Sequence, residues 1–391
     1  MGRTVGHQAG KQRPIAQDVV AIVNDVLAQA IAAGASDVHF EPTAGDLTVK
    51  FRLDGLLDEM ERLPKILAEK VITRLKVMGG LLTYRNDIPQ EGRIATAAST
   101  GAGRVLDLRL AVFPTIHGQR AVVRVFYEEP ALAELDKLGL PPGILARLKQ
   151  IAAGCQGVLL LTGPAGSGKS TTLAALLRYM VASQGGRSIV ALEDPVERHI
   201  QGVTQVQIPP QGEMDFPRAL RSLLRQDPEV LMIGEIRDAE TARIVVEAGL
   251  TGHLLLSTLH SGTPAGALLR LLEMGVEPYQ VTSAIGAVVS QRLPRMLCQR
   301  CRTRDSAGAW RAAGCGECFN SGYRGRTLLA EMVQLDADLR KAVLAKTDLE
   351  EMEAMLGRRG HMTLAHNGRR LLAEGVTTQA ELDRVCGTGS S

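Results

Sequence analysis

A parallel α/β sheet domain preceded by a smaller α+β domain is the fold class this sequence predicts, on three observations. From Leu138 onward, short apolar runs alternate with helical stretches, the texture of a parallel sheet covered by helices. Between one such run and a helical stretch lies Gly163-Pro164-Ala165-Gly166-Ser167-Gly168-Lys169-Ser170-Thr171, a complete glycine-rich phosphate-binding pattern in the strand–loop–helix setting that it requires. In the first third, one amphipathic helix precedes strands of alternating polarity. Length agrees, since 391 residues make two or three domains at roughly 150 residues each.

Composition narrows the class. Apolar residues make up 45% and charged residues 22%, enough for ordinary cores and too little charge for wholesale disorder. No run approaches the roughly 18 apolar residues of a membrane span, and MGRTVGHQAGKQR has no apolar segment behind its charges, so a cytoplasmic chain is expected. The net charge is only +3 and aromatics are 3%. That leaves neither the basic excess of a duplex-binding protein nor stacking platforms for single strands, and no stable nucleic-acid partner is expected.

In chain order, residues 1–14 read as a polar tail carrying Arg3, Lys11 and Arg13, and residues 15–127 as the α+β domain. Val19, Ile22, Val23, Val26, Leu27, Ala30 and Ile31 recur at helical spacing from Ile15 up to Gly34. Leu47, Val49, Phe51 and Leu53 then alternate with Thr48, Lys50 and Arg52, and similar runs follow at Val105–Val112 and Ala121–Phe126. In these last two, alternation puts Arg109 and Arg124 on the face opposite Leu108, Leu110, Val123 and Val125. Residues 128–137 read as a linker. Residues 138–391 form the second domain, divided into a core over 138–295, a cysteine knuckle over 296–325, and a helical subdomain with tail over 326–391. Gly157–Thr162, Ser188–Leu192, Val230–Ile233 and Leu254–Thr258 are the expected central strands.

The loop pattern carries the chemistry. Its glycines let successive backbone N–H groups converge on phosphate oxygens at a helix N-terminus, Lys169 is placed for the β and γ phosphates, and Ser170 for Mg²⁺. A second acidic strand end, Val230-Leu231-Met232-Ile233-Gly234-Glu235, makes Glu235 the candidate for polarising an attacking water. The plain alternative is a solvated carboxylate at a helix start. Leu192-Glu193-Asp194-Pro195-Val196-Glu197 clusters three carboxylates at another strand end, where open α/β sheets bind ligands. His253 and His260 bracket a strand, with His260 at its carboxyl end and so a candidate phosphate sensor.

Cys298-x-x-Cys301 and Cys315-x-x-Cys318, separated by 13 residues, give four thiolates in two chelating pairs, the spacing of a closed tetrahedral Zn²⁺ site. Such a site leaves no open position for water, so its expected role is structural. Between Arg292 and Arg326 stand eight arginines against Asp305 and Glu317, an expected surface for an anionic partner.

GPAGSGKSTT, LEDPVE, LLRQDPEVLMIGEIRD and TGHLLLSTLH, together with GASDVHFEP, FRLDG, LGLPP, LLEMGVEP, QRLPRMLCQRC and GYRGRTLLAE, resemble the secretion ATPase family of type II secretion and type IV pilus assembly. The resemblance implies a RecA-like P-loop ATPase domain behind a PAS-like N-terminal domain. It implies a homo-hexamer with ATP at subunit and domain junctions, and an inner-membrane platform protein as partner, with peripheral contact at that membrane. It assigns Lys169, Ser170, Glu193, Glu235 and His260 to the phosphate-loop, acidic-box, second-strand and histidine-box roles. Arg109, Arg124, Arg221 and Arg225 take the place of arginines that close on the γ phosphate. The cysteine pairs resemble the assembly and secretion branches rather than retraction motors. Two features depart from the pattern: the family's extra N-terminal recruitment domain has no room before Ile15, and the loop between the cysteine pairs is short; a smaller change is Ser261-Gly262 where Thr-Asn is usual. The rival expectations are a DNA-translocating or conjugation-type ATPase and a scaffold that binds ATP without turnover.

Overall fold

The computed structural model describes residues 18–95, 99–100, 103–128, 130–209, 212 and 214–387. The expected tail, the helix start at Ile15 and the final residues 388–391 lie outside the described residues. The chain divides into two compact units, Met1–Pro130 and Ala131–Ser391.

The first unit opens with α1 (Val19–Ala32), capped by the Asp18 carboxylate accepting from the Val20 N–H and burying Ile22, Val23, Val26, Leu27, Ala30 and Ile31. There follow β1 (Asp37–Pro42), β2 (Asp46–Leu53), β3 (Leu56–Pro64), α2 (Lys65–Met78), β4 (Gln90–Ile94), β5 (Ser99–Thr100), β6 (Gly103–Thr115) and β7 (Gly118–Glu128). The sheet runs β3-β2-β1-β7-β6-β4, with β5 beside β6. Every second residue of its strands (Val38 and Phe40, Leu108 and Leu110, Val123 and Val125) joins the two helices in one apolar cluster. Period-2 alternation therefore leaves the other face to Asp37, His39, Arg109 and Arg124.

The second unit begins earlier than the expected linker allows. Pro130–Ala133 and Leu135–Lys137 form short 3₁₀ turns, and Leu135 and Leu138 are buried in the second unit's core. Residues 128–137 are thus partly an anchored lead-in, because these leucines recur every three residues and find a core to enter. Then come α3 (Pro142–Ala153), β8 (Gly157–Thr162), α4 (Lys169–Ser183), β9 (Ile189–Glu193), β10 (Thr204–Gln207), α5 (Phe216–Leu223), β11 (Val230–Ile233), α6 (Ala239–Leu250), β12 (Leu254–Leu259), α7 (Pro264–Glu273), α8 (Pro278–Ala284) and β13 (Ile285–Arg292). After them lie β14 (Arg295–Leu297), β15 (Arg302–Arg304), β16 (Trp310–Ala312), β17 (Tyr323–Arg326) and β18 (Leu329–Gln334), then α9 (Ala337–Leu344), α10 (Leu349–Arg358), α11 (Leu364–Ala373) and α12 (Gln379–Cys386).

The main sheet is ordered β10-β9-β11-β12-β8-β13-β18, parallel except for β18. In β8, Val158 and Leu160 enter one core cluster while Leu159 and Leu161 enter the other, the signature of a strand covered on both faces. All four expected central strands form. The region expected as a helical subdomain, 326–391, is not one body. Its first segment, β18, is an edge strand of the main sheet. Leu339, Val343 and Met352 of α9 and α10 are buried in the main core, and only Leu364, Leu371 and Leu382 gather with Leu329 in a cluster of their own. Four short amphipathic helices have too little mutual apolar surface to stand apart. No described helix is long and apolar enough to cross a membrane.

Candidate nucleotide site and metal centre

The phosphate loop leaves the carboxyl end of β8, and α4 starts directly from it at Lys169. Two glycines make this turn feasible. Gly168 caps α4 with a left-handed φ of 91°. Gly163 sits at φ 142°, where a Cβ would lie 2.5 Å from the Gln291 carbonyl oxygen and 2.7 Å from Ser167 Oγ. Between them Pro164, Ala165 and Gly166 are exposed and Ser167 is buried. Ser167 Oγ is buried with no hydrogen-bond partner, an unmet group inside a cradle of backbone that faces a helix N-terminus. The buried Lys169 ammonium donates to the Gly163 and Pro164 carbonyl oxygens at 2.8 and 3.0 Å. Burial lowers its pKa below the ordinary lysine value, against the pull of the nearby Glu235 charge. It is a desolvated cation waiting on weak neutral acceptors, and the loop fits a polyphosphate. Behind Ser170 and Thr171, Thr172 Oγ1 accepts from Gln291 Nε2 at 2.9 Å and fixes the first turn of α4 to β13.

The strand ends deliver the acids. Glu193 closes β9, and Glu193, Ser170, Glu197 and Gly234 line one small cavity of about 30 Å³, room for a single ion or water. Burial raises the pKa of Glu193, opposed by a hydrogen bond from Gln205 Nε2 at 2.9 Å and reinforced by the Glu197 charge. Ser170 Oγ and Glu193 therefore form an oxygen donor set suited to Mg²⁺. Glu235 follows β11. Its Oε2 lies 3.3 Å from His260 Nε2, and its Oε1 accepts from Arg237 Nε at 2.6 Å. Burial pushes Glu235 upward, but Arg237 and His260 together outweigh it and hold the carboxyl below its usual range.

The structure thus gathers the loop, Glu193, Glu235 and His260 along the carboxyl edge of β8, β9, β11 and β12. Thr162 Oγ1 donates to the Ser261 carbonyl oxygen at 2.9 Å, and Arg292 Nη2 donates to that of Gly262 at 2.7 Å. Both bonds end on backbone carbonyl oxygens of Ser261 and Gly262, so these two fastenings do not depend on which side chain stands at either position. Sequence assigns Arg237 no role and counts Arg292 only among the basic-surface arginines. Arg237 sits two residues after Glu235 within a quoted segment, whereas nothing in sequence places Arg292 beside the loop.

The expected arginines are arranged less simply. Arg221 on α5 pairs with Glu240 of α6, and Arg225 falls in the turn beyond the end of α5 at Leu223. α5 thus stops before Arg225, and Asp227, at φ 52°, leaves helical geometry ahead of Pro228. In the first unit, Arg109 and Arg124 share the face that alternation gives them, and the register of β6 on β7 makes them direct cross-strand neighbours.

The four cysteines converge. Their sulfurs lie within 4.8 Å of one another, with Cys298–Cys315 at 3.9 Å, Cys301–Cys318 at 3.7 Å and Cys315–Cys318 at 3.7 Å. A tetrahedron with Zn–S bonds near 2.3 Å has edges of about 3.8 Å, so the donor set fits zinc. The Cys315 and Gly322 N–H groups both donate to Cys318 Sγ at 3.2 Å, support suited to a thiolate. The basic surface is smaller than its composition: Arg292 turns inward to carbonyl oxygens and Arg295 to the buried Glu381. Glu317 pairs with Arg300 and Arg324, Asp305 with Arg311, and Arg302 and Arg304 flank Trp310.

Residues 12–384 match the family described as "Type II/IV secretion system protein". The chain belongs to this family. Among its relatives, "Type II secretion system protein HxcR" of Pseudomonas aeruginosa is 42% identical over 94% of this chain and 77% of its own length. The "Type IV pilus assembly ATPase PilB" of Thermus thermophilus is 38% identical over 92% of this chain and 42% of its own. Among solved structures, the Yersinia pseudotuberculosis ATPase DotB superposes with a TM-score of 0.71 at 20% identity, covering 97% of this chain and 96% of that one. The pilus retraction motor PilT with bound ADP gives 0.63 at 23% identity, covering 93% and 97%. The α/β ATPase fold is shared with both.

Proposed function

We propose that this chain is an ATP-hydrolysing motor that powers type II secretion or type IV pilus assembly, working as a homo-hexamer on an inner-membrane platform protein. The carrying observation is the convergence of Lys169, Ser170, Glu193, Glu235 and His260 at one sheet edge around the phosphate loop. Lys169 would exchange its two carbonyl acceptors for β and γ phosphate oxygens, a much stronger partnership for a half-desolvated ammonium. Ser170 Oγ and Glu193 would hold Mg²⁺, which would supply charge neutralisation for phosphoryl transfer. Glu235 orients a water and accepts its proton as the oxygen attacks the γ phosphorus and the bond from that phosphorus to the bridging oxygen breaks, releasing ADP, while His260, in contact with Glu235, senses the product state. Arg237 competes for the same carboxylate, so its grip must loosen before Glu235 serves as base. Arg109, Arg124, Arg221 and Arg225 then neutralise the departing charge. The exposed knuckle arginines suit acidic headgroups or an acidic face of the platform protein.

Two variants test this reading. Lys169→Ala should lose nucleotide affinity, whereas Glu235→Gln should bind ATP normally and turn over roughly 10²- to 10⁴-fold more slowly. Near-normal steady-state hydrolysis by Glu235→Gln would remove the water-activating role. Stimulation of hydrolysis by DNA would favour the translocase instead.

A further inference from the structure

The polar face of the first unit's sheet carries a row that local sequence does not reveal. Arg52 lies opposite Asp37, Asp37 opposite Arg124, Arg124 opposite Arg109, and Arg109 opposite Arg93. The row crosses β2, β1, β7, β6 and β4, with three guanidiniums on successive strands and one aspartate inside it. Like charges set directly opposite each other destabilise a sheet pair, so such a row needs a compensating reason.

Asp107 supplies part of the compensation. Two residues before Arg109 on β6, and therefore on the same face, its Oδ2 lies 3.3 Å from Arg109 Nε and 3.8 Å from Arg93 Nε. Asp37 acts likewise on Arg124 Nε at 3.0 Å and Arg52 Nε at 3.2 Å. Phe126 lies against the Arg109 guanidinium at 4.4 Å and fixes its plane. The approach through Nε decides the chemistry. It steadies Arg109 and Arg124 by hydrogen bonds and holds Arg93 by charge attraction alone, and among the described residues no hydrogen bond engages the Nη groups of the three, the edge that grips an oxyanion in a fork. Arg93 and Arg124 are 73% and 65% exposed. Adjacent strands stand about 4.8 Å apart, so the three heads lie within reach of one phosphoryl group.

We propose that Arg93 is a third phosphate-directed guanidinium of this face and that Asp107 is the positioning residue that sets Arg93 and Arg109 together. This rests on the reading of Arg109 and Arg124 as charge-neutralising groups in ATP hydrolysis. Arg93 adds positive charge beside the equatorial phosphoryl oxygens over which the transition-state charge is spread. Asp107 touches no phosphate and acts through the two arginines.

The test is steady-state ATP hydrolysis by the full-length chain, with thermal melting of each variant. Arg93→Gln should lower kcat about tenfold and change KM for ATP less than about threefold, because the interaction strengthens in the transition state. Asp107→Asn should lower kcat further, since it releases two arginines, and Asp107→Glu should recover part of the loss. Arg109→Ala is the control and should lose most turnover. Arg93→Gln and Asp107→Asn within twofold of the parent, beside an inactive Arg109→Ala, would overturn the proposal alone. An active Arg109→Ala would overturn the underlying reading and the proposal with it. If Asp107→Asn melts early, Arg93→Gln decides, since Arg93 is exposed and its removal leaves no buried group unpaired.

Discussion

Around the phosphate loop, Val158, Leu159, Leu160 and Leu161 of β8 are at most 2% exposed, and a helix and neighbouring strands hold both ends of the turn. Around the cysteine pairs, β15 and β16 are three residues each and none of their side chains is buried. Both sites are short patterns with fixed spacing, yet packing imposes the geometry of the first, while the second depends on an ion that joins its own ligands. Side-chain burial of this kind constrains a loop whether or not nucleotide is present. A closed thiolate site without its metal loses the main term that folds it.

Chelation puts the greatest strain on this contrast. Removing metal with a strong chelator, or substituting Cys298→Ser, should unfold residues 296–325. The free energy at stake is on the order of 10 kcal/mol in isolated zinc modules. Hydrolysis should stay within about threefold, and hydrogen exchange should localise the loss. Metal analysis should find about one zinc per chain, and a metal-free protein with a protected knuckle would erase the distinction.

A smaller effect separates the knuckle from its base. Glu381, 1% exposed, accepts from Arg295 at 2.8 Å and from Arg384 at 2.5 Å, tying β14 to α12. Burial raises its pKa, but these arginines and the Arg295 N–H overcome it and hold the carboxyl at about 2, against 4.5 for an unperturbed group. A depressed folded-state pKa stabilises above the unfolded value and is lost as pH falls through about 4.5 towards 2. The contribution is about 3 kcal/mol at neutral pH. Glu381→Gln should therefore cost stability at pH 7 and much less at pH 3 in denaturant titrations. An equal cost at both values would mean that the charge is not what anchors the base.

The mildest case probes the loop itself. Gly163→Ala forces a side chain into φ 142° and against the Gln291 carbonyl oxygen, a strain of about 1–3 kcal/mol. Nucleotide affinity should fall roughly 10- to 100-fold with only a modest loss in melting temperature, because the packed sheet remains. A wholesale loss of fold would place the loop with the knuckle, dependent on its own local geometry.

Much of the chemistry is determined by sequence alone, because it depends on contiguous residues. The loop, the cysteine pairs and the acid-bearing strand ends at Glu193 and Glu235 each lie within a few positions, where strand alternation, glycine dihedrals and chelate spacing act directly. The four central strands are legible for the same reason, as apolar runs between breakers. Only tertiary structure decides what depends on register or distant packing. β13 and β18 complete the sheet although a cysteine knuckle interrupts them. α9 and α10 join the main core instead of forming their own, and Arg292 reaches the loop from the end of β13. Arg93, Arg109, Arg124 and Asp37 share one row through pairings between strands up to 87 residues apart. A strand's own sequence fixes which face a residue takes, but its partner and offset follow from burying remote apolar side chains together, and local spacing carries no record of that.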